Sequence, residues 1–275
     1  MSPSRLFLAC SLSLFAQIAV AQQTATTSPP PPSSTQGAAA LQKALSALAP
    51  SAPIIDVTLT GTARRIAGSD DESGTAVIKA LVGTGTRLDL TLPSGQRTEI
   101  RNTSSPEIAG SWSGPDGTAH VTAYHNLLTD PGWFPAITIA SLLSTPGEVI
   151  TYAGPETRGT QSVVHIKASQ PLPASLAAPK DIAALMQHLT EVDIFLDAST
   201  LLPAFFAFSI HPDNNANLDI PVELRFSDYR PVNGAQIPFH VQKSLNNSLL
   251  LDLEFTDATL NSGLSPSTFA AGRAQ

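Results

Sequence analysis

Between residues 192 and 255, apolar side chains recur at every second position in five successive runs. Val192, Ile194 and Leu196 share one parity. Phe206, Phe208 and Ile210 form a second run, and Ile220, Val222, Leu224 and Phe226 a third. Ile237, Phe239 and Val241 follow, then Leu249, Leu251, Leu253 and Phe255. The intervening positions include Asp193, Glu223, Arg225, Gln236, His240, Asp252 and Glu254. Successive side chains of an extended chain point to opposite faces. Serial runs of this kind predict an antiparallel sheet with one dry face and one wet face.

The same period recurs earlier. Ile55, Val57 and Leu59 alternate with Asp56, Thr58 and Thr60, and Leu88, Leu90 and Leu92 alternate with Asp89 and Thr91. Residues 68–74, Gly-Ser-Asp-Asp-Glu-Ser-Gly, read as a turn, as do Ser94-Gly95, residues 114–117 and Asn246-Asn247. The alternation predicts about eleven strands. Three segments depart from it. Leu41, Leu45 and Leu48 have helical spacing, predicting a helix over 37–49 ended by Pro50. Residues 133–143 form an apolar stretch with a helix start near Pro135. Residues 181–189 place Ile182, Leu185, Met186 and Leu189 on one helical face. Residues 170–179 are proline-rich and read as a loop.

The first 21 residues resemble an export signal: Arg5, an apolar run over 6–18, and the small residues Ala19-Val20-Ala21 before Gln22. That run is shorter than the roughly 20 residues a membrane span needs. The expectation is cleavage after Ala21, a periplasmic or extracellular location, and no transmembrane span in the mature chain. Residues 22–36, rich in Gln, Thr, Ser and Pro, read as a flexible linker, and 37–275 as a single domain. The single cysteine, Cys10, falls within the signal, so the mature chain would have no disulfide. A net charge of −7 with no long basic run argues against nucleic-acid binding.

Three phrases in the last third carry a resemblance. They are Asp197-Ala-Ser-Thr-Leu-Leu-Pro203, Phe226-Ser-Asp-Tyr-Arg-Pro-Val-Asn-Gly-Ala-Gln-Ile-Pro238 and Asn261-Ser-Gly-Leu-Ser-Pro-Ser-Thr-Phe269. In this order they resemble the C-terminal half of the LolA-like superfamily of periplasmic lipoprotein carriers. The resemblance implies a mainly β fold with short helices. Its core is a strongly curved antiparallel sheet, an incomplete β-barrel, whose concave face is plugged by helices. It also implies an apolar ligand, a lipid or lipoprotein acyl chain. The basic residue associated with lipoprotein release has no match: Arg64 and Arg65 lie near the region but read as strand-end charges.

Catalytic and metal-binding patterns are weak. His120, His125, His165, His188, His211 and His240 include no pair at helical metal-ligand spacing, and they read as isolated surface residues. There is no Gly-x-Ser-x-Gly elbow. Asp70-Asp71-Glu72 lacks the spaced ligands of a calcium loop. No enzyme activity, metal or cofactor is therefore expected. The candidate ligand-binding set is apolar: Trp133, Phe134, Ile137, Leu142 and Leu143 as a lid, with Phe206, Phe208, Leu224, Phe226, Phe239, Leu251, Leu253 and Phe255 on the concave face. The same residues fit a filled core equally well, and the lid segment fits a fixed plug. An alternative function is an envelope protein-interaction or sensing module that uses the half-barrel as a scaffold.

Overall fold

The computed structural model describes residues 34–49, 53–104, 108–129 and 132–272. The expected signal peptide and all but the last three residues of the expected linker lie outside the described residues. Helix α1 spans Ser34–Leu48, so it starts three residues before the expected boundary. Six strands follow: β1 (Asp56–Ala67), β2 (Asp70–Leu81), β3 (Gly85–Leu92), β4 (Gly95–Asn102), β5 (Ala109–Ser113) and β6 (Ala119–Val121). A 3-10 turn at Tyr124–Leu127 leads towards α2 (Pro135–Ser144). Next come β7 (Val149–Arg158), β8 (Gln161–Ser169) and α3 (Lys180–His188), then β9 (Val192–Asp197) and β10 (Pro203–Ile210). The long strands β11 (Ile220–Val232), β12 (Ala235–Leu245) and β13 (Ser248–Leu260) complete the order.

All thirteen strands belong to one antiparallel sheet, two more than expected, in the order β6-β5-β4-β3-β2-β1-β13-β12-β11-β10-β9-β8-β7. Every strand pairs with its sequence neighbour except at two places. The seam between β1 and β13 joins the first and last strands, and the two edges, β6 and β7, are joined only by the crossover that contains α2. The sheet is an open, curved half-barrel, as the resemblance implied.

Hairpin chemistry explains the registers. Asn233-Gly234 and Asn246-Asn247 occupy the left-handed backbone region, which two-residue hairpin turns need and which Asn and Gly tolerate. The expected turn over 68–74 is tighter than that. Only Gly68-Ser69 turn, and Asp70 begins β2, because the polar side chains that follow find cross-strand partners. Arg64 forms a bidentate pair with Asp71 (2.8 and 2.6 Å), and Glu72 accepts from the Ser94 amide and hydroxyl (2.8 and 2.9 Å).

The core lies on the concave face. Leu41, Ala44 and Leu48 of α1 and Trp133, Phe134, Ala136 and Ile139 around α2 pack against inward residues of the sheet. Gly37 lets α1 approach β7 closely: a Cβ there would sit 3.0 Å from the Ile150 carbonyl and the Tyr152 amide. A smaller cluster on the opposite face stacks Phe195 on Phe205 at 4.2 Å, with the guanidinium groups of Arg158 and Arg225 over the outer rings. Helix α3 has no buried residue; on its apolar face Ile182 is 45% exposed, Leu185 and Met186 are half-buried, and Leu189 just after it is buried.

Candidate ligand cavity in the concave face

Pro135 starts α2 at a position where its missing N–H costs nothing, and the apolar sequence after it has no strand alternation to follow. The helix therefore folds into the concavity. Its breakers are Gly132 and Gly147, both with positive φ (71° and 83°). Pro131, next to Gly132 in the sequence, lies outside the described residues.

One side of α2 faces the filled core. The other faces a cavity of about 600 Å³. Ile137, Ala140 and Leu142 of α2, with Phe134, form one wall. Ala80, Leu81 and Val82 from the end of β2 and Thr86 of β3 form another. Leu127, Leu128 and Thr129 of the crossover, Ile108, Thr190 and Val192 close the sides. The lining is mixed: threonines and serines, among them Thr103, Thr138, Ser141 and Thr145, alternate with the apolar side chains, and Arg101, Glu148 and Gln170 add charged and amide groups. Burial pushes the Glu148 carboxyl up to about 7. It is thus poised between neutral and charged forms near neutral pH, in the lining of the cavity.

The crossover is tied down on both flanks. Arg101 of β4 donates to the Leu127 carbonyl, and the Thr129 hydroxyl donates to the Leu189 carbonyl beside α3. Asn126 bonds both the amide and the carbonyl of His211 at 2.8 Å. These contacts span the gap between the two halves of the open sheet and fix the cavity's side wall.

Of the thirteen apolar residues expected to form a binding surface, Phe134, Ile137 and Leu142 line this cavity. Trp133 does not. It is 4% exposed, and the Lys243 ammonium lies 5.1 Å from its ring centre. Leu143 and Phe208 are partly buried against the core. Phe206, Leu224, Phe226, Phe239, Leu251, Leu253 and Phe255 are buried in the core itself, where Phe206 meets Phe226 edge-on at 5.0 Å. The structure therefore divides the set into a filled C-terminal half and an unfilled pocket beside α2. Sequence reasoning missed Glu148, Leu127 and the β2 end. The available signal was Glu148 itself, a lone acid between the Pro146-Gly147 breaker and an apolar strand.

The histidines are not all isolated surface residues. His188 and His211 converge on Asp219, and His211 is buried. Sequence separations of 23 and 8 on different elements conceal this.

Among solved structures the chain is most informatively compared with three. An outer membrane lipoprotein-sorting protein domain from Vibrio parahaemolyticus is 12% identical, with a TM-score of 0.54, covering 86% of this chain and 97% of that one. A LolA superfamily protein from Nitrosomonas europaea is 13% identical (TM-score 0.52, 85% and 97% covered). A DUF1329 family protein from Desulfovibrio piger is 9% identical (TM-score 0.54, 86% and 97% covered). No protein-family model and no curated protein sequence matches the chain. At these identities the likeness establishes the fold: the described domain is a LolA-like half-barrel. No helix among the described residues is long and apolar enough to cross a membrane.

Proposed function

We propose that this is an exported, non-enzymatic binding protein that holds an acyl chain or similar apolar ligand in the cavity beside α2. The observation that carries this reading is the cavity of about 600 Å³ bounded by Phe134, Ile137, Leu142, Leu127 and Val82. Its size falls within the roughly 300–1,000 Å³ usual for small-ligand sites. A chain burying ten methylenes would gain on the order of 8 kcal/mol before the losses of ordering. A polar headgroup would meet Glu148, Gln170 and Ser141 in the lining. The names of two structural neighbours, a lipoprotein-sorting domain and a LolA superfamily protein, agree with lipid or lipoprotein cargo. The leader over residues 1–21 agrees with export to the periplasm or beyond.

Native mass spectrometry on protein purified from its own envelope tests the reading. A co-purifying lipid mass, and saturable uptake of a fluorescent fatty acid by delipidated protein, are expected. Empty protein with no uptake contradicts it. The alternative, an envelope protein-interaction module, draws on the apolar face of α3, where Ile182 is exposed, and on exposed Leu176 just before it. A stoichiometric protein partner in an envelope pull-down, with no lipid bound, would favour that reading.

A further inference from the structure

Three chain segments meet where the crossover, α3 and the β10–β11 loop come together. His188 is the last residue of α3. His211 follows β10 directly, and Asp219 directly precedes β11. Because Ile210 pairs with Ile220 across the ladder, the loop between them is pinned at its base, and His211 and Asp219 are held beside each other. Nε2 of His188 lies 2.8 Å from Asp219 Oδ1, and Nε2 of His211 lies 3.0 Å from the same oxygen. One ligand atom from each of the three residues falls within a sphere of contacts no wider than 4.8 Å.

We infer that His188, His211 and Asp219 form a binding site for a divalent transition-metal cation of the zinc class. Two imidazoles and one carboxylate are the donor set that suits zinc and its neighbours, whereas calcium and magnesium require mostly oxygen ligands. Tetrahedral bonds of about 2.0–2.1 Å impose ligand separations of about 3.3 Å, so the two histidine–carboxylate contacts would open slightly and the ligand atoms, within 4.8 Å of one another, would settle to that spacing around the ion.

The surroundings support the assignment in three ways. First, the buried ligand is positioned independently of any ion. His211 has a side chain only 1% exposed, and its backbone amide and carbonyl are both held by Asn126 at 2.8 Å. Its Nδ1 is buried with no hydrogen-bond partner among the described residues, which leaves the ring aimed at Asp219 through Nε2 alone. Second, the other two ligands are accessible. The side chains of His188 and Asp219 are 40% and 48% exposed, so an ion can enter from solvent and water can complete its fourth position. Third, the exposed imidazole has an outer partner. Glu191 Oε2 lies 3.7 Å from His188 Nδ1, placed to accept the proton that moves to Nδ1 when Nε2 binds metal.

Without metal the two imidazoles share one carboxylate oxygen. The ion would take the Nε2 lone pair of each imidazole, with the ring proton carried on Nδ1. It would also brace α3 to the β10–β11 loop. The His125 ring lies 5.9 Å from the His211 ring, but its Nε2 is engaged with the Pro212 carbonyl at 3.2 Å, which places it outside the ligand set.

Titration of the mature chain with Zn²⁺ against a chromophoric chelator, and with Co²⁺ as a spectroscopic probe, tests the site. Binding of one equivalent of Zn²⁺ is expected, together with a Co²⁺ spectrum of low coordination number. His188→Ala and Asp219→Asn, both at exposed positions, should each abolish saturable binding, and Glu191→Gln should weaken it about 10-fold. Circular dichroism and metal-free melting of each variant confirm that the fold persists. Absence of saturable one-to-one binding in the parent protein overturns the assignment. So does an affinity unchanged in both His188→Ala and Asp219→Asn. Acyl-chain uptake is measured separately, so failure of either reading is distinguishable from failure of the other.

Discussion

The carboxylate of Asp56 caps the turn that follows β13, at Ser262. Its Oδ1 accepts from both the Ser262 amide and hydroxyl at 2.9 Å, while Oδ2 accepts from the amides of Gly263 (2.8 Å) and Leu264 (3.3 Å). Asp56 opens β1, and Ser262 follows β13, so this contact seals the seam that joins the first and last strands. Asn261, at positive φ, adds a bond from the Ile55 amide to its side chain at 2.7 Å.

Asp56→Ala should therefore destabilise the domain by about 1–3 kcal/mol, because it removes the four hydrogen bonds that a buried carboxylate accepts. Asp56 is 2% exposed. Burial alone would push its carboxyl up, but the bonds from Ser262, Gly263 and Leu264 outweigh that and hold it below 3.8. A carboxyl with a depressed folded-state value contributes stability above its unfolded value and loses it as pH falls through the folded one. Urea unfolding between pH 7 and pH 2 should show a loss in the parent protein that is smaller in Asp56→Asn.

Glu148 has the opposite sign. Its folded-state value, about 7, lies above the ordinary 4.5, so the folded state holds the proton more tightly. Its contribution is fully present below about pH 4.5 and is lost as pH rises through about 7. The parent protein should lose stability relative to Glu148→Gln across that window, with a constant difference above pH 8. Parallel melting curves at pH 4 to 9 check this. A difference independent of pH would contradict it.

Gly61 sits where β1 shifts register against β13. A Cβ there would lie 2.1 Å from the Glu254 carbonyl oxygen and 2.5 Å from the Phe255 Cα, both backbone atoms that cannot swing aside. Gly61→Ala should cost about 1–3 kcal/mol, read as a lower urea midpoint with an unchanged slope.

The α2 segment offers a contrast between plug and wall. Trp133→Ser removes a side chain only 4% exposed in the core and should cost on the order of 3–5 kcal/mol, with little direct effect on a ligand it does not touch. Leu142→Ser changes a half-buried wall residue and should weaken fatty-acid uptake while the melting temperature falls far less. If Trp133→Ser instead left stability intact and abolished uptake, the segment would be a movable lid.

Much of this fold was legible locally. The phrase 261–269 supplies the cap on Asp56. In the phrase 197–203, Asp197 accepts from the Ser199 and Thr200 amides at 3.0 and 2.9 Å, closing the β9–β10 turn. In the phrase 226–238, Tyr229 donates its hydroxyl to the Pro203 carbonyl at 2.8 Å, and Asn233-Gly234 makes the return. These are short-range needs written in particular residues. What period two could not distinguish was which inward residues meet another side chain and which meet a void. Phe226 and Val82 are both apolar, but only the placement of α1 and α2 makes the first core and the second cavity wall. Asp70–Gly74 read as a turn because its cross-strand partners, Arg64 and Ser94, are set by pairing rather than by composition. The meeting of His188, His211 and Asp219 likewise depends on topology.

The central claim is that the cavity beside α2 holds an acyl chain. Titration of a fluorescent fatty acid into delipidated protein and into Ile137→Trp tests it most directly, since the added ring fills the cavity from a half-buried position without removing core contacts. Saturable binding by the parent protein, and its loss in a variant with an unchanged circular dichroism spectrum, is the predicted result. No uptake by the parent protein, or equal uptake by both, would contradict the account.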